Sequence, residues 1–157
     1  MSYFEKWMLV ALAMAQKAAE KGEVPVGVVI VKDDVCVARS FNLRESKLDP
    51  TAHAEILCLQ KAAKKLKSWR LLNCDVFVSL EPCVMCAGAL SQARVKRVIF
   101  ATRDPKAGAC GSLFDIHNDR RLNHQFEVVE NILKNQSALL LKQFFLSKRK
   151  KTAEIIP

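Results

Sequence analysis

The sequence predicts an α/β protein, a three-layer α/β/α sandwich around a central mixed five-stranded sheet. Segments of helical periodicity alternate with short β-branched segments along the chain. The 157 residues show no internal repeat, low-complexity tract or Gly/Ser-rich linker, so we expect residues 1–157 to form one domain. Half of the residues are hydrophobic and 26% are charged, which excludes disordered and fibrous proteins.

The first third of the chain predicts a helix followed by a hairpin. Apolar residues recur at three- and four-residue steps from Phe4 to Ala19, which indicates a helix that ends before Gly22. Residues 24–31 are nearly all apolar and β-branched, as expected of a strand buried on both faces. A polar turn separates them from a second strand, Val35–Phe41, so the two strands form a hairpin.

The rest of the chain alternates between helices and strands. Asp49 and Pro50 predict the start of a helix over residues 51–67, because Asp caps helices and Pro is tolerated in their first turn. Pro82 similarly predicts a helix that starts at residue 81. The remaining predicted elements are, in chain order, a strand at 75–80, a helix at 81–93, strands at 95–101 and 126–129, and a helix at 137–151.

Charge and cysteine content restrict the partners and the compartment. Lys and Arg exceed Asp and Glu by nine, which favours nucleic acid or an anionic surface as a partner. No apolar run approaches the ~18 residues of a membrane helix. Residues 7–15 are apolar, but Glu5 lies where a secretory signal would be positive. Six cysteines are too few for a disulfide scaffold, so we expect a cytoplasmic protein.

Two short segments at predicted helix starts indicate a metal site. His53 lies in one, and Cys83 and Cys86 lie in the other. Residues three apart share a helix face, and the first turn stabilises thiolates. One His and two Cys suit Zn²⁺ and leave a fourth position for water, as in catalytic sites. Cys58 lies about 140° around the helix from His53 and therefore points elsewhere.

Glu55 is the candidate proton carrier beside this site. Bound Zn²⁺ lowers the pKa of its water to about 7, and hydroxide attack on a heteroaromatic ring needs such a carrier. Glu55 is about 200° around an ideal helix from His53, so it reaches the site only from an irregular first turn. Together, His-x-Glu and Pro-Cys-x-x-Cys form the zinc-deaminase signature. The alternatives are a structural metal site and a thioredoxin-type redox pair.

At these residues the chain resembles the bacterial tRNA-specific adenosine deaminases, a family of the cytidine deaminase-like superfamily. The resemblance runs over almost the whole chain. It is carried by residues 23–27, 42–45, 50–56, 81–89 and 108–112. It departs from the family pattern at Phe41, where a polar residue or His is expected, and at Cys110, where Ala is expected.

This resemblance implies a reaction and its residues. The product is inosine at the wobble position of a tRNA anticodon. His53, Cys83 and Cys86 hold one Zn²⁺ per subunit, and Glu55 moves protons among water, purine ring and leaving ammonia. The N–H of Ala54 and the carbonyl of Pro82 line the reacting carbon. Family members are homodimers, with the anticodon stem-loop bound across the subunit junction.

Further RNA contacts are implied, each with a simpler alternative. The implied contacts are Asn42 to the purine edge, Asp104 to a ribose 2′-OH, Lys106 and Arg149 to phosphates, and either Phe144 or Phe145 to a flipped base. The alternatives are turn residues for Asn42 and Asp104 and solvated charges for Lys106 and Arg149. Because the two Phe residues are adjacent, one is expected in the core; Trp69, Cys58 and Cys74 are interpreted as packing residues.

Two other functions fit the same signature. The first is deamination of a free base or nucleotide, such as guanine, cytosine or deoxycytidylate. The net charge of +9 favours a polynucleotide over these small substrates. The second is an inactive RNA-binding module with a structural zinc. Glu55 argues against it, because an inactive site does not need a proton carrier.

Overall fold

The computed structural model describes residues 1–155 and contains a five-stranded sheet between two layers of helices. The predicted three-layer α/β/α sandwich is therefore confirmed, whereas residues 156 and 157 of the predicted domain lie outside the described residues. The elements are α1 (Tyr3–Glu20), β1 (Gly27–Lys32), β2 (Val35–Phe41), α2 (Ala54–Leu66), β3 (Asp75–Leu80), α3 (Val84–Gln92), β4 (Arg97–Thr102), a 3₁₀ turn (Ile116–Asn118), β5 (Glu127–Val129) and α4 (Lys134–Ile155).

The sheet is mixed, with strand order β2-β1-β3-β4-β5. β1 pairs antiparallel with β2 and with β3, whereas β3–β4 and β4–β5 are parallel. As a result β2, β3 and β4 run in the same direction and their carboxyl ends meet at one edge. In open α/β sheets, that edge is where ligands bind.

Each face of the sheet packs against its own pair of helices. Val28 and Ile30 of β1 face the layer of α2 and α3, and they belong to a core that includes Phe100. Val29 and Val31 face the layer of α1 and α4, and they pack with Phe77. β1 is buried on both faces, as its nearly continuous apolar sequence predicts.

α1 is held by a capping box at its start and by close packing against β1. Ser2 and Glu5 form a capping box, in which the Ser2 hydroxyl accepts from the Glu5 N–H and the Glu5 carboxylate accepts from the Ser2 N–H. In its middle, α1 lies so close to β1 that a Cβ at Gly27 would overlap the Ala11 carbonyl. The absence of a side chain at Gly27 therefore sets the approach of helix and strand.

Two helices begin later than the sequence predicts. The Asp49 carboxylate accepts from the N–H and hydroxyl of Thr51, which makes residues 49–52 a turn, so α2 begins only at Ala54. The predicted helix start at residues 81–82 is also wrong, because the Pro82 carbonyl accepts from the Ala109 N–H and the backbone stays extended through Cys83.

Smaller differences affect other boundaries. β1 starts three residues after the predicted position, because the Val26 N–H bonds the Val24 carbonyl and forms a tight turn. α4 is longer than predicted at both ends, and the 3₁₀ turn was not predicted. Trp69 is 57% exposed and stacks on Arg70, so its interpretation as a packing residue is wrong, whereas Cys58 and Cys74 are buried as expected.

A polar network closes the edge of the sheet where β3 and β4 begin. The guanidinium of Arg97 donates to both carboxylate oxygens of Asp75, at 3.0 and 2.6 Å, and the Tyr3 hydroxyl donates to one of them at 2.8 Å. Asp75 is buried, so these bonds compensate the loss of its hydration. Among residues 1–155, no helix is long and apolar enough to span a membrane.

Candidate active site

A pocket of about 210 Å³ opens where β2, β3 and β4 end. The segments that follow these three strands form its walls, together with the turn before β1 and the start of α2. Its lining residues are Val24, Val26, Asn42, Arg44, His53, Ala54, Glu55, Leu80, Glu81, Cys83, Asp104 and Ala107. The pocket therefore contains both segments of the signature.

Three ligand side chains meet at the base of this pocket. The Nδ1 atom of His53 lies 3.7 Å from the Sγ of Cys83 and 3.5 Å from the Sγ of Cys86. The donor atoms all lie within 4.8 Å of one another, and within residues 1–155 this is the one such group of His, Cys, Asp and Glu. These three residues could hold a metal ion.

The two helices of one layer bring the ligands together. His53 is the N-cap of α2 and Cys83 the N-cap of α3, both with extended backbone, and Cys86 lies in the first turn of α3. Neither N-cap side chain forms a capping hydrogen bond with its helix, so both remain available as ligands. The positive ends of two helix dipoles therefore point toward the sulfur atoms, which stabilises a thiolate.

The two thiols and the imidazole shift one another's pKa values. Hydrogen bonds from Cys86 and then His53 lower the pKa of Cys83 to about 4, although burial opposes the shift. The bond to Cys83 raises the pKa of Cys86, and burial adds to this effect. The pKa of His53 is raised, mainly by its bond to Cys83. A thiolate at Cys83 beside a proton-sharing imidazole and thiol is the arrangement expected of a site for a soft cation.

Glu55 lies beside this cluster in the second position of α2. Its side chain is 4% exposed and lines the pocket. Burial raises the pKa of its carboxyl above the ordinary value. Because His53 has an extended backbone rather than a helical one, residues two apart reach the same site, which is the irregular first turn that the sequence analysis required.

Comparisons with known proteins agree with this geometry. The family model of MafB19-like deaminases matches residues 3–149. A tRNA-specific adenosine deaminase of Bacillus subtilis (strain 168) is 44% identical over 151 residues, which are 96% of this chain and 94% of that protein.

This chain belongs to the family of tRNA-specific adenosine deaminases.

Two solved structures resemble the deaminase. One, from a study of A-to-I editing by tRNA:A34 deaminases at the wobble position of transfer RNA, has a TM-score of 0.84 and 39% identity. The structural match covers 87% of this chain and 99% of the chain in that structure. A guanine deaminase from Nitrosomonas europaea has a TM-score of 0.77 and 26% identity, over 92% of this chain and 85% of that chain. The fold is thus common to deaminases of different substrates.

Three more predicted site residues line the pocket of the deaminase. Ala54 is buried as the first residue of α2, where its N–H has no acceptor within the helix. The Asn42 amide donates to the Val24 carbonyl at 3.3 Å and accepts from the Arg44 N–H. The Asp104 carboxylate accepts from two N–H groups of the following turn, at residues 106 and 107. Asn42 and Asp104 are thus turn residues and pocket residues at once.

The other predicted site residues are not among those that line the pocket. Pro82 is buried, and its carbonyl accepts from the Ala109 N–H at 2.8 Å. Lys106 is exposed in the loop that follows Asp104. On α4, Phe144 is 9% exposed and Phe145 is 42% exposed, so one ring packs in the core, and Arg149 is exposed.

Two buried carboxylates hold the pocket loops, and neither is predicted from the sequence. Glu81 accepts from the N–H groups of Asp104, Cys110 and Ser112 and from the Ser112 hydroxyl. Glu23 accepts from the N–H groups of residues 45 and 46 and from the Ser46 hydroxyl. A usable signal existed, because each Glu lies next to a strongly apolar segment, where an unpaired carboxylate would be costly.

Proposed function

We propose that the deaminase converts adenosine to inosine at the wobble position of a tRNA anticodon, with one Zn²⁺ per subunit. The observation that carries the proposal is the pocket in which His53, Cys83 and Cys86 meet beside the buried Glu55. The relative from Bacillus subtilis that bears the tRNA-specific name matches nearly the full chain and supports the substrate.

The donor atoms fit zinc. In a tetrahedral site with Zn–N near 2.05 Å and Zn–S near 2.3 Å, the N···S separation is about 3.6 Å. The separations here are 3.5 and 3.7 Å. Three protein ligands would leave one position of a bound zinc ion for water, and the ion would lower the pKa of that water and supply hydroxide at neutral pH.

Glu55 carries the protons of the reaction. It takes a proton from the attacking water and delivers it to the purine ring nitrogen while the new C–O bond forms at the amino-bearing carbon. It then transfers the second water proton to the amino group, and the C–N bond breaks to release ammonia. Adenosine and water thus give inosine and ammonia. Burial raises the pKa of Glu55, which makes its carboxylate a stronger base toward the attacking water.

The pocket walls orient the base. The Ala54 N–H has no acceptor within its helix, and it lines the reacting carbon together with the Pro82 carbonyl. Asn42 has a second N–H that can donate to the purine edge. Asp104 accepts from a ribose 2′-OH, a contact that distinguishes RNA from DNA.

The RNA contacts extend outward from the pocket. Lys106 and Arg149 are exposed and bind phosphates, and Phe145 offers an exposed ring for a flipped base, whereas Phe144 supports it from the core. The net charge of +9 favours such contacts.

We also propose a cytoplasmic homodimer in which residues 1–157 form one deaminase domain. All six cysteines are free thiols, which suits a reducing compartment. Val84, Leu113 and Phe114 are each about half exposed next to the bridge between Cys83 and Gly108. An apolar cluster of this kind is typical of the centre of a subunit interface. Light scattering on the purified protein tests the dimer, because a mass of one chain would contradict it.

A free base is the alternative substrate, since the guanine deaminase of Nitrosomonas europaea has the same fold. The positive net charge of the protein favours tRNA over a free base, because a small neutral base gains no binding energy from a basic protein surface.

The decisive experiment offers the purified, zinc-loaded protein total bacterial tRNA, free adenosine and guanine in parallel, with products identified by mass spectrometry. We expect inosine only in tRNA, at the wobble position. Inosine from adenosine without tRNA product, or xanthine from guanine, would overturn the proposed substrate.

A further inference from the structure

A second cavity lies outside the catalytic pocket, between α2 and the edge strand β2. Its volume is about 310 Å³. We call it the α2–β2 groove, and its walls are the end of β2, the loop after it, and one side of α2. Ser40, Leu43, Lys47, Gln60, Lys61 and Lys64 are among its lining residues.

The groove is strongly basic. Lys47, Lys61 and Lys64 line it, and none of its lining residues is acidic. Lys61 donates to the Arg39 carbonyl at 3.3 Å and so holds its ammonium over the edge of β2. Glu45 lies in the adjoining loop, where its carboxylate is 3.8 Å from the Arg44 guanidinium. The three ammonium groups therefore attract an anion into the groove.

A buried hydroxyl at the base of the groove has no partner. Ser40 is 3% exposed, and its Oγ forms no hydrogen bond within residues 1–155. Ser40 pairs with Val28 in the sheet, and Val28 belongs to the core on the α2 side, so the hydroxyl faces α2. A buried hydroxyl without a partner destabilises the folded protein. A ligand that accepts a hydrogen bond would remove this cost.

The groove and the catalytic pocket share one wall. Along the segment that follows β2, Asn42 and Arg44 line the catalytic pocket, whereas Leu43 and Lys47 line the groove. An extended polyanion with one nucleotide in the pocket can therefore cross this segment and reach the groove.

We infer that the α2–β2 groove binds a backbone phosphate of the polynucleotide substrate, outside the nucleotide that enters the catalytic pocket. Lys47, Lys61 and Lys64 supply the positive charge, and the Ser40 hydroxyl donates to a phosphate oxygen. Phosphate oxygens accept such bonds from Lys and Ser side chains in most nucleic-acid complexes. This inference deepens the proposed function, on which it rests for the identity of the polynucleotide.

The test compares binding of an anticodon stem-loop RNA by the full-length, zinc-loaded protein and two variants. K47A/K64A removes two charges that form no side-chain bonds within the described residues, and S40A removes only the hydroxyl. K17A/K96A is the matched control, since Lys17 and Lys96 are exposed and lie away from both cavities. We expect K47A/K64A to bind about tenfold more weakly at low salt, with a slope of log K against log salt smaller by about 1 to 2.

S40A separates ligand binding from a structural role. We expect S40A to bind the RNA several-fold more weakly while its thermal stability is unchanged or higher, because the variant lacks the unpaired hydroxyl. Loss of stability with unchanged RNA affinity would contradict the inference. So would equal affinities and salt slopes for K47A/K64A and K17A/K96A.

Two further measurements distinguish the possible failures. Inosine formation in tRNA by the wild-type protein tests the proposed function independently of the groove; if it occurs while the groove variants bind normally, the inference alone is wrong. Inorganic phosphate is titrated against bound RNA at constant ionic strength. Displacement by millimolar phosphate from the wild type and equally from K47A/K64A would show that the groove is not the phosphate site.

Discussion

The carboxylate of Glu23 accepts two hydrogen bonds from Ser46, one from the backbone N–H at 2.7 Å and one from the hydroxyl at 2.6 Å. A third bond comes from the Glu45 N–H. Burial alone raises the pKa of Glu23, but these bonds outweigh it and leave the pKa below its ordinary value of 4.5. This carboxylate therefore fixes the loop that separates the catalytic pocket from the α2–β2 groove.

Glu23→Gln is expected to destabilise the protein. The NH₂ group of the glutamine would face N–H and O–H groups that are themselves donors. We therefore expect the free energy of unfolding to fall by about 1–3 kcal/mol at pH 7. Because the folded-state pKa is depressed, the stabilisation is complete above about pH 4.5 and is lost as the pH falls through the folded-state value. Urea unfolding between pH 7 and pH 3.5 checks this.

The exposed Glu20→Gln serves as the control for this prediction and should unfold like the wild type. A stability difference between Glu23→Gln and the wild type that stays constant down to pH 3.5 would contradict the ionised state of Glu23.

Glu55→Gln is expected to abolish deamination while the protein still binds zinc. The amide has nearly the same shape but cannot transfer protons, so kcat should fall by at least about 10²–10⁴-fold. Metal analysis and single-turnover deamination of tRNA give the two readouts. The exposed Glu127→Gln is the matched control. Wild-type kcat in Glu55→Gln would exclude the proton-carrier role.

His53→Ala is expected to lose zinc. Removal of a residue that only hydrogen-bonds a metal ligand already lowers metal affinity about 10- to 100-fold, so removal of a ligand itself should lower the affinity at least as much. Metal content measured at a fixed free zinc concentration tests the prediction. His117→Ala removes an imidazole outside the cluster and should retain the metal. Zinc at one equivalent in both variants would remove His53 from the ligand set.

Two glycine substitutions should have opposite effects. A Cβ at Gly108 would overlap the Glu81 carboxylate and lie 2.6 Å from the Asp104 carbonyl. We therefore expect Gly108→Ala to lower the free energy of unfolding by about 1–3 kcal/mol and to lower the deaminase activity. The reason is that Glu81 cannot move without breaking its hydrogen bonds to the pocket loop.

Gly88→Ala is the companion variant, because Gly88 lies within α3 and a Cβ there meets nothing within 4 Å. Gly88→Ala should increase the stability by about 0.5–1 kcal/mol, since glycine is unfavourable inside a helix. Thermal unfolding of both variants measures the effects. Equal destabilisation would show that the close contact at Gly108 is not the cause.

The sequence identified the reactive cluster because its information is local. His53, Cys83 and Cys86 combine a distinctive set of residue types with short spacings next to helix starts, and the structure brings them together. Strands β2 and β3 were predicted with their observed bounds, because polar turns adjoin both strands. The layer order also followed from the alternation of helices and strands.

The parts that the sequence did not reveal depend on distant partners. The backbone stays extended through Cys83 because two hydrogen bonds hold it. The Glu81 N–H donates to the Thr102 carbonyl, and the Pro82 carbonyl accepts from the Ala109 N–H. Both partners lie more than twenty residues away along the chain. The roles of Glu23 and Glu81 are likewise defined only by the loops that they hold. Local propensity carries no information about such contacts, which explains why the start of α3 was predicted too early.

The hydrogen bond from Tyr3 to Asp75 has a practical consequence. It anchors the amino-terminal helix at the edge of the sheet where β3 begins, whereas the reactive pocket opens at the other edge, a strand length of roughly 20 Å away. A fluorophore, affinity handle or surface tether attached at Met1 would therefore leave the path of an incoming RNA unobstructed, so immobilised preparations should retain turnover.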